Sequence, residues 1–307
     1  MTGTTLTTET AQLTSYRFGA LALASDVPLP GFEHRCGPAQ ADGGPARFSF
    51  RLTAWAPPPA DDGRVVLRSS RGPRQLLARR GADGSYVLAV PDVAGCTLLP
   101  DRHTLRWHVT GPPTTRDAEF LVATALPRLA TAQHGLVVHA GTIAGPRGAV
   151  LLCGASGAGK STLASAVAAR TGWPLIGDDA VALDVAADGV WAHGFNPDVR
   201  VRAAGAGKRR VATVDPATGP VPARLVLRLV PGQPPATHPL RPADQLVTLH
   251  RNLLRLDRAD PAVVRWQLAG LAAAARHLPV VDLHHPRTPD SVAATTERII
   301  ALAASAS

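Results

Sequence analysis

Nine consecutive residues carry the most specific chemical signal in this chain: Gly154, Ala155, Ser156, Gly157, Ala158, Gly159, Lys160, Ser161 and Thr162. They fit the pattern G-x-x-x-x-G-K-[ST], in which backbone N–H groups and a helix start cradle phosphate oxygens. In that pattern Lys160 would neutralise the β- and γ-phosphates and the Ser161 hydroxyl would ligate Mg²⁺. The chemistry expected is binding of a nucleoside triphosphate with Mg²⁺. Eighteen residues after Lys160 stand Asp178 and Asp179. Paired carboxylates beside a triphosphate can divide the work, one holding the metal and the other taking a proton from an attacking hydroxyl. The structural alternative for the pair is a turn with a helix cap. His139 lies twenty-one residues before Lys160 in the apolar run Leu136-Val-Val-His-Ala. It reads either as a satisfied core histidine or as a ring that approaches the aspartates, where a carboxylate would bias its protonation.

These residues need a scaffold, and the flanking sequence supplies one. The apolar run Ala149–Cys153 predicts a strand entering the glycine-rich loop, and Thr162–Arg170 predicts the helix leaving it. Leu136–Ile143 predicts a strand joined to Ala149–Cys153 by the tight Gly145-Pro-Arg-Gly148 connection, a hairpin entry unlike an ordinary βαβ start. Leu175–Gly177 predicts a short buried strand ending at Asp178, expected beside the loop strand as in an open parallel sheet. Further strands are expected at Ala180–Asp184, Val190–His193, Leu225–Val230 and Pro279–Leu283. Helices are expected at Asp117–Gln133, kinked at Pro127, and at Ala243–Arg255, Pro261–Arg276 and Ser291–Ala303. Pro216–Pro222 and Pro231–Pro239 read as loops. Before all this, Arg47–Trp55, Arg64–Arg68, Gln75–Ala78, Tyr86–Val90 and Thr104–Val109 predict short strands separated by Pro/Gly/Asp turns. That stretch reads as an antiparallel meander or small mixed module for packing or docking.

Val138-His139-Ala140, Leu152 through Ser161 and Gly172 through Val181 together resemble the C-terminal catalytic domain of HPr serine kinase/phosphorylase. The short kinases that accompany lasso-peptide biosynthesis resemble the chain more closely, and Tyr16–Leu21 and Ser25–Pro30 look like their start. The similarity covers roughly residues 115–307 and is strongest over 134–185. It implies an α/β P-loop kinase fold of the phosphoenolpyruvate-carboxykinase-like type over 115–307, preceded by a small β-rich N-terminal domain over 1–114. It further implies phosphoryl transfer from ATP, with Mg²⁺, to a serine hydroxyl of a peptide or protein, including the tail of a ribosomally made lasso precursor. By position, Asp179 matches the proton acceptor, Lys160 the phosphate-binding lysine, Ser161 a Mg²⁺ ligand and His139 an active-site histidine; Asp178 is expected near the metal. Two departures argue against a reverse, phosphorylase reaction. Thr162 stands where the family has Glu, and Asn196–Arg200 lacks its acidic-Arg-Gly signature. Relatives form rings, so a homo-oligomer is in keeping with the resemblance.

Composition narrows the partners. The formal net charge of +9 rests almost wholly on Arg, read as a solvated surface or as attraction to an acidic partner. Aromatics make up 4% and interleave with no basic run, which gives no pointer to nucleic acid. Arg200, Arg202, Lys208–Arg210, Arg251 and Arg255 are cations without an assigned role. Three cysteines without metal-ligand spacing fit a reducing cytoplasm. No basic start precedes an apolar run, as a signal peptide would require, and no segment reaches the ~18 apolar residues of a membrane span. Two other functions compete with the serine kinase: a small-molecule alcohol kinase, and a non-catalytic nucleotide-binding regulator. A transport ATPase would also carry a Leu-Ser-Gly-Gly-Gln-type signature, which is absent.

Overall fold

The computed structural model describes residues 13–36, 46–55, 63–71, 74–91, 94–109, 111–195, 199–202, 208–211, 219–288 and 290–306. They form a mixed α/β protein built on two large sheets and a small hairpin. The first sheet comprises β1 (Thr14–Phe18), β2 (Leu21–Ser25), β3 (Phe48–Trp55), β4 (Arg64–Arg71), β5 (Arg74–Arg80), β6 (Tyr86–Val90), β7 (Ala94–Leu98) and β8 (Thr104–His108). Its order is β1-β2-β3-β8-β7-β6-β5-β4. From β4 to β8 it is an antiparallel meander, but β2–β3 and β3–β8 pair in parallel, so the sheet is mixed. Three strands, β1, β2 and β7, were not legible from pattern. Ala94-Gly-Cys-Thr-Leu98 is buried throughout and has no alternation to read.

A helical segment then crosses to the second sheet. It opens with α1 (Thr115–Phe120), capped by a reciprocal Thr114–Asp117 box. It passes through a π-helical stretch, Leu121–Ala125, into α2 (Leu126–Leu129) and a 3₁₀ turn ending at left-handed His134. The break expected at Pro127 is displaced by this π stretch. Leu126 N–H bonds Leu121 C=O, and Pro127, which has no N–H, opens the next turn.

The second sheet is formed by β9 (Leu136–Val138), β10 (Gly141–Gly145), β11 (Gly148–Cys153), β12 (Leu175–Gly177), β13 (Val181–Ala186), β14 (Gly189–Gly194), β17 (Val221–Pro231), β18 (Ala236–Pro239) and β19 (Val280–His285). The hairpin β15 (Val199–Arg202) and β16 (Lys208–Val211) lies apart. The helices are α3 (Lys160–Thr171), α4 (Pro242–Asn252), α5 (Pro261–Ala275) and α6 (Ser291–Ser305). The main path runs β12-β10-β11-β17-β14-β13-β9, with β19 on β17 and β18 on β19. Strand β17 is long enough to serve three neighbours: besides β11, it pairs with β14 and β19. Pro222 and Val221 pair with β14, whereas Val226–Pro231 run parallel to β19.

Four expectations change here. The single strand Leu136–Ile143 breaks at His139-Ala140, because β9 pairs with β13 while β10 pairs with β11 and β12. Strand β12 is not beside the loop strand; β10 lies between them, antiparallel to both. The helix expected to reach Arg255 stops at Asn252 with an extended Leu253, so Arg255 sits on the following turn. The loop expected over Pro231–Pro239 ends in the edge strand β18. Asn196–Asp198 and residues 216–218 lie outside the described residues, and Val221 and Pro222 already belong to β17.

The two sheets share a core. Phe48, Leu52, Leu105 and Trp107 of the first pack in one cluster with the helical segment's Leu121, Leu126 and Leu129 and with Val137, Ala182 and Phe195 of the second part. Phe48 stacks on Phe195 with centroids 5.7 Å apart. Polar ties reinforce the seam: Arg47 to Asp184 at 2.7 Å and Arg80 to Asp260 at 2.8 Å. At its centre Ala20 N–H donates to Gly194 C=O at 2.7 Å. A Cβ on Gly194 would overlap the carbonyl oxygen of Ile176, two residues before Asp178. Gly194→Ala should therefore cost about 3 kcal/mol in chemical denaturation. Unchanged stability would show that this close approach is not required.

Candidate functional site

The glycine-rich run forms the turn between β11 and α3, as its sequence implies. Gly154, Gly157 and Gly159 have φ of 144°, 81° and 95°, conformations that L side chains rarely adopt. Gly159 is the N-cap of α3 and offers no side-chain cap, so the first N–H groups of the helix face the loop. A side chain on Gly154 would press on Leu229 C=O at 3.1 Å, and one on Gly157 would meet Arg287 Nη2 at 3.4 Å. The helix begins at Lys160, two residues earlier than expected, which puts Lys160 and Ser161 on its first turn. Lys160 is buried, and its ammonium donates to the carbonyls of Gly154 (2.9 Å) and Ala155 (3.2 Å). Ala155, Ser156 and Thr162 are exposed, while Ala158 is buried beneath the loop. Small residues let α3 sit close to the sheet: a Cβ on Gly141 of β10 would lie 3.4 Å from the Ala164 methyl.

Asp178 and Asp179 follow β12 and reach the loop despite the intervening strand. Ser161 Oγ donates to Asp178 Oδ1 at 2.9 Å, and the Asp178 side chain is buried. Asp179 is a non-glycine residue at φ 66°, in the left-handed region, which raises its energy locally. His139 occupies the break between β9 and β10. Its Nδ1 lies 2.8 Å from the Asp179 carbonyl oxygen and 3.8 Å from Asp179 Oδ1. A carbonyl only accepts, so Nδ1 carries the hydrogen in that bond. The ring thus holds the aspartate's backbone as well as lying near its carboxylate.

Asn252, at the end of α4, was not legible from the sequence. Its Oδ1 accepts from Gly154 N–H at 3.3 Å, and its C=O accepts from His139 N–H at 2.6 Å. Its own amide donates to Thr248 C=O at 2.8 Å, which fixes the side chain's orientation. Its partner Gly154 is 98 residues away in the chain, a distance over which local pattern says nothing. Arg287, just past β19, was likewise unmarked by any motif.

Oxygen donors suit a hard cation: the Ser161 hydroxyl and the Asp178 carboxylate converge at the helix start. Mg²⁺ takes one or two protein oxygens and fills its octahedron with phosphate and water, so this pair fits it. Among the described residues no group of three or more His, Cys, Asp or Glu gathers to hold a metal. Cys153, immediately before the loop, is no nucleophile; burial pushes its thiol up to about 12, against the opposing charge of Lys160. Among the described residues no helix is long and apolar enough to cross a membrane. Of the unassigned cations, Arg200, Arg202 and Lys208–Arg210 lie on the β15–β16 hairpin, while Arg251 and Arg255 flank Asn252.

Among solved structures, the chain is similar to the HPr(Ser) kinase/phosphatase from Coxiella burnetii, at 16% identity and a TM-score of 0.32, over 54% of this chain and 87% of that one. No protein-family model matches the chain, and no curated protein does.

The left-handed Asp179 gives a test that needs no activity. Asp179→Gly should keep or raise stability, by up to about 1 kcal/mol, whereas Asp179→Val should lose about 1–2 kcal/mol. Equal melting of the two variants would mean that the backbone there is not constrained.

Proposed function

We propose that this chain is an ATP- and Mg²⁺-dependent serine kinase with an HPr-kinase-like phosphate-loop domain over 115–307 and a β-rich module over 1–114. The observation that carries this reading is the 2.9 Å bond from Ser161, next to the loop lysine, to one member of the aspartate pair. The pair is thereby joined to the helix start that would receive the phosphates. A nucleotide loop alone would not require two carboxylates there.

In this reading the loop N–H groups not bonded within the site, together with the Lys160 ammonium, receive the phosphate oxygens. Gly154 N–H stays on Asn252 and Ala158 N–H on the Ala155 carbonyl. On binding, the Lys160 ammonium exchanges its two carbonyl partners for phosphate. Arg287 brings a second cation to the crest of the loop. Ser161 and Asp178 hold Mg²⁺, which when bound neutralises charge on the β- and γ-phosphates. Asp179 takes the proton of the acceptor hydroxyl as that oxygen bonds to the γ-phosphorus. The bond from phosphorus to the ADP oxygen breaks in the same displacement, and ADP leaves with the electron pair. His139 is a catalytic neighbour of that base, holding Asp179 through its carbonyl and biasing its carboxylate through proximity. The acceptor class is a peptide or protein serine. The tail of a ribosomally made lasso precursor is the acceptor to which the sequence resemblance points. Cytoplasmic residence and a homo-oligomeric state complete the proposal.

Purified protein incubated with γ-labelled ATP, Mg²⁺ and serine peptides should label serine. Asp179→Asn should lower the rate by about 10²-fold or more while nucleotide affinity stays within about twofold, as the residue lies outside the loop. An Asn variant as active as the parent would remove Asp179 as the base.

A further inference from the structure

Beside the glycine-rich loop lies a cleft of about 530 Å³. Gly154–Ser156 and the end of β17 form one side, the turn after α4 forms a second, and Leu67 and Ser69 of β4 close it from the first sheet. Lys160, Ser161 and Asp178 do not line it, so it flanks the metal end of the site. His139 does line it and is bonded to Asp179, which connects the cleft to the proposed base. Five arginines share the lining, Arg128, Arg228, Arg251, Arg255 and Arg258, and no aspartate or glutamate is among the lining residues described.

Among the described residues no acid pairs with Arg251, Arg255 or Arg258. Arg228 is neutralised by Asp282, with Nη2 to Oδ2 at 2.6 Å. Arg128 donates to the Thr124 carbonyl at 2.7 Å. Arg255 donates to His250 Nε2 and C=O, each at 2.8 Å. Because a protonated ring nitrogen cannot accept, His250 is neutral at Nε2 in that bond. The acids next to this turn are already engaged, since Asp257 and Asp260 both pair with Arg80 at 3.4 and 2.8 Å. Arg251 and Arg258 are exposed and have no ion-pair partner among the described residues. Burial, then the Arg258 charge, pushes the Arg255 guanidinium below its ordinary range. Burial and these same two arginines lower His250. Three like charges within eight residues repel one another unless an anion sits among them. Guanidinium groups meet carboxylate and phosphate with paired N–H donors.

We infer that this cleft seats the phosphate acceptor and selects one that carries carboxylate or phosphate groups close to its hydroxyl. The assignment of the hydroxyl to this cleft rests on the kinase reading above; the selection for anions does not. The wall formed by Leu67 and Ser69 gives the first sheet a part in that choice. Two sources share the chemistry, an acidic serine peptide and a small carboxylated or phosphorylated alcohol.

Calorimetry on the full chain saturated with Mg²⁺ and ADP separates them. The probes are a serine peptide flanked by glutamates, its glutamine counterpart, glycerate and glycerol 3-phosphate. The glutamate peptide or one of the small anions should bind about tenfold more tightly than the glutamine peptide, with the preference falling as salt rises. The double variant Arg251→Gln, Arg258→Gln should lose that preference while its ADP affinity and melting temperature stay unchanged. Tight binding of the small anions names a metabolite; tight binding of the glutamate peptide alone names a peptide. Equal binding of every probe, or a preference that survives in the double variant, overturns the inference. Labelling with γ-labelled ATP keeps the two ideas apart. Equal transfer to the glutamate and glutamine peptides sinks the anion selection and leaves the kinase intact. Arginine-dependent anion binding with no transfer to any probe sinks the kinase and leaves the anion seat.

Discussion

A closed circuit of hydrogen bonds around Asn252 is the constraint on which the candidate site depends. Asn252 accepts from the first loop amide and from the backbone of His139; His139 donates to the carbonyl of Asp179. Asp178, the next residue back, accepts from Ser161, whose neighbour Lys160 returns to the loop carbonyls. Each bond is worth only about 1 kcal/mol net. Together they join four separate chain segments, so none of the groups can shift without breaking a bond to another. Leaving a buried member unpaired costs more than the bond itself contributes. The left-handed backbone at Asp179 persists because both ends of that residue are held.

The strand order explains why such ties are needed. Because β10 separates β12 from β11, the aspartates do not arrive by simple adjacency to the loop strand. They come from the sheet edge, and the Ser161–Asp178 bond closes the distance. The first sheet is part of the same construction. Its core is continuous with the second through Phe48 and Phe195, and its hairpin turn at Ala20 rests on Gly194, against Ile176. Packing of the N-terminal residues therefore reaches within two residues of Asp178.

Much of this was legible in the sequence where chemistry is local. The glycines, Lys160 and Ser161 stand out in the sequence by type and spacing, and the structure folds them into one turn between β11 and α3 with its glycines at positive φ. Asp178 and Asp179 could be linked to the loop because they end a short apolar strand. The break at His139 was hidden: Leu136-Val-Val-His-Ala reads as one strand, and only the pairing partners of β9 and β10 reveal two. Asn252 was hidden for the same reason, since its bonds are long-range. Arg255 was placed on a helix because nothing in Leu253-Leu254 signals the extended turn that ends α4. In the first sheet the meander followed from its turns. The parallel pairs β2–β3 and β3–β8 did not, since parallel register leaves no local mark.

The most direct measurement is of Mg²⁺-dependent ATP affinity by calorimetry in a double-mutant cycle of Ser161→Ala and Asp178→Asn. If the hydroxyl and carboxylate form one metal site, Mg²⁺ strengthens ATP binding to the parent by about tenfold or more. Either substitution should abolish that gain, and the second should add little to the first. A gain of equal size in all four proteins would contradict the account, because the serine and the aspartate would then have no common metal to hold.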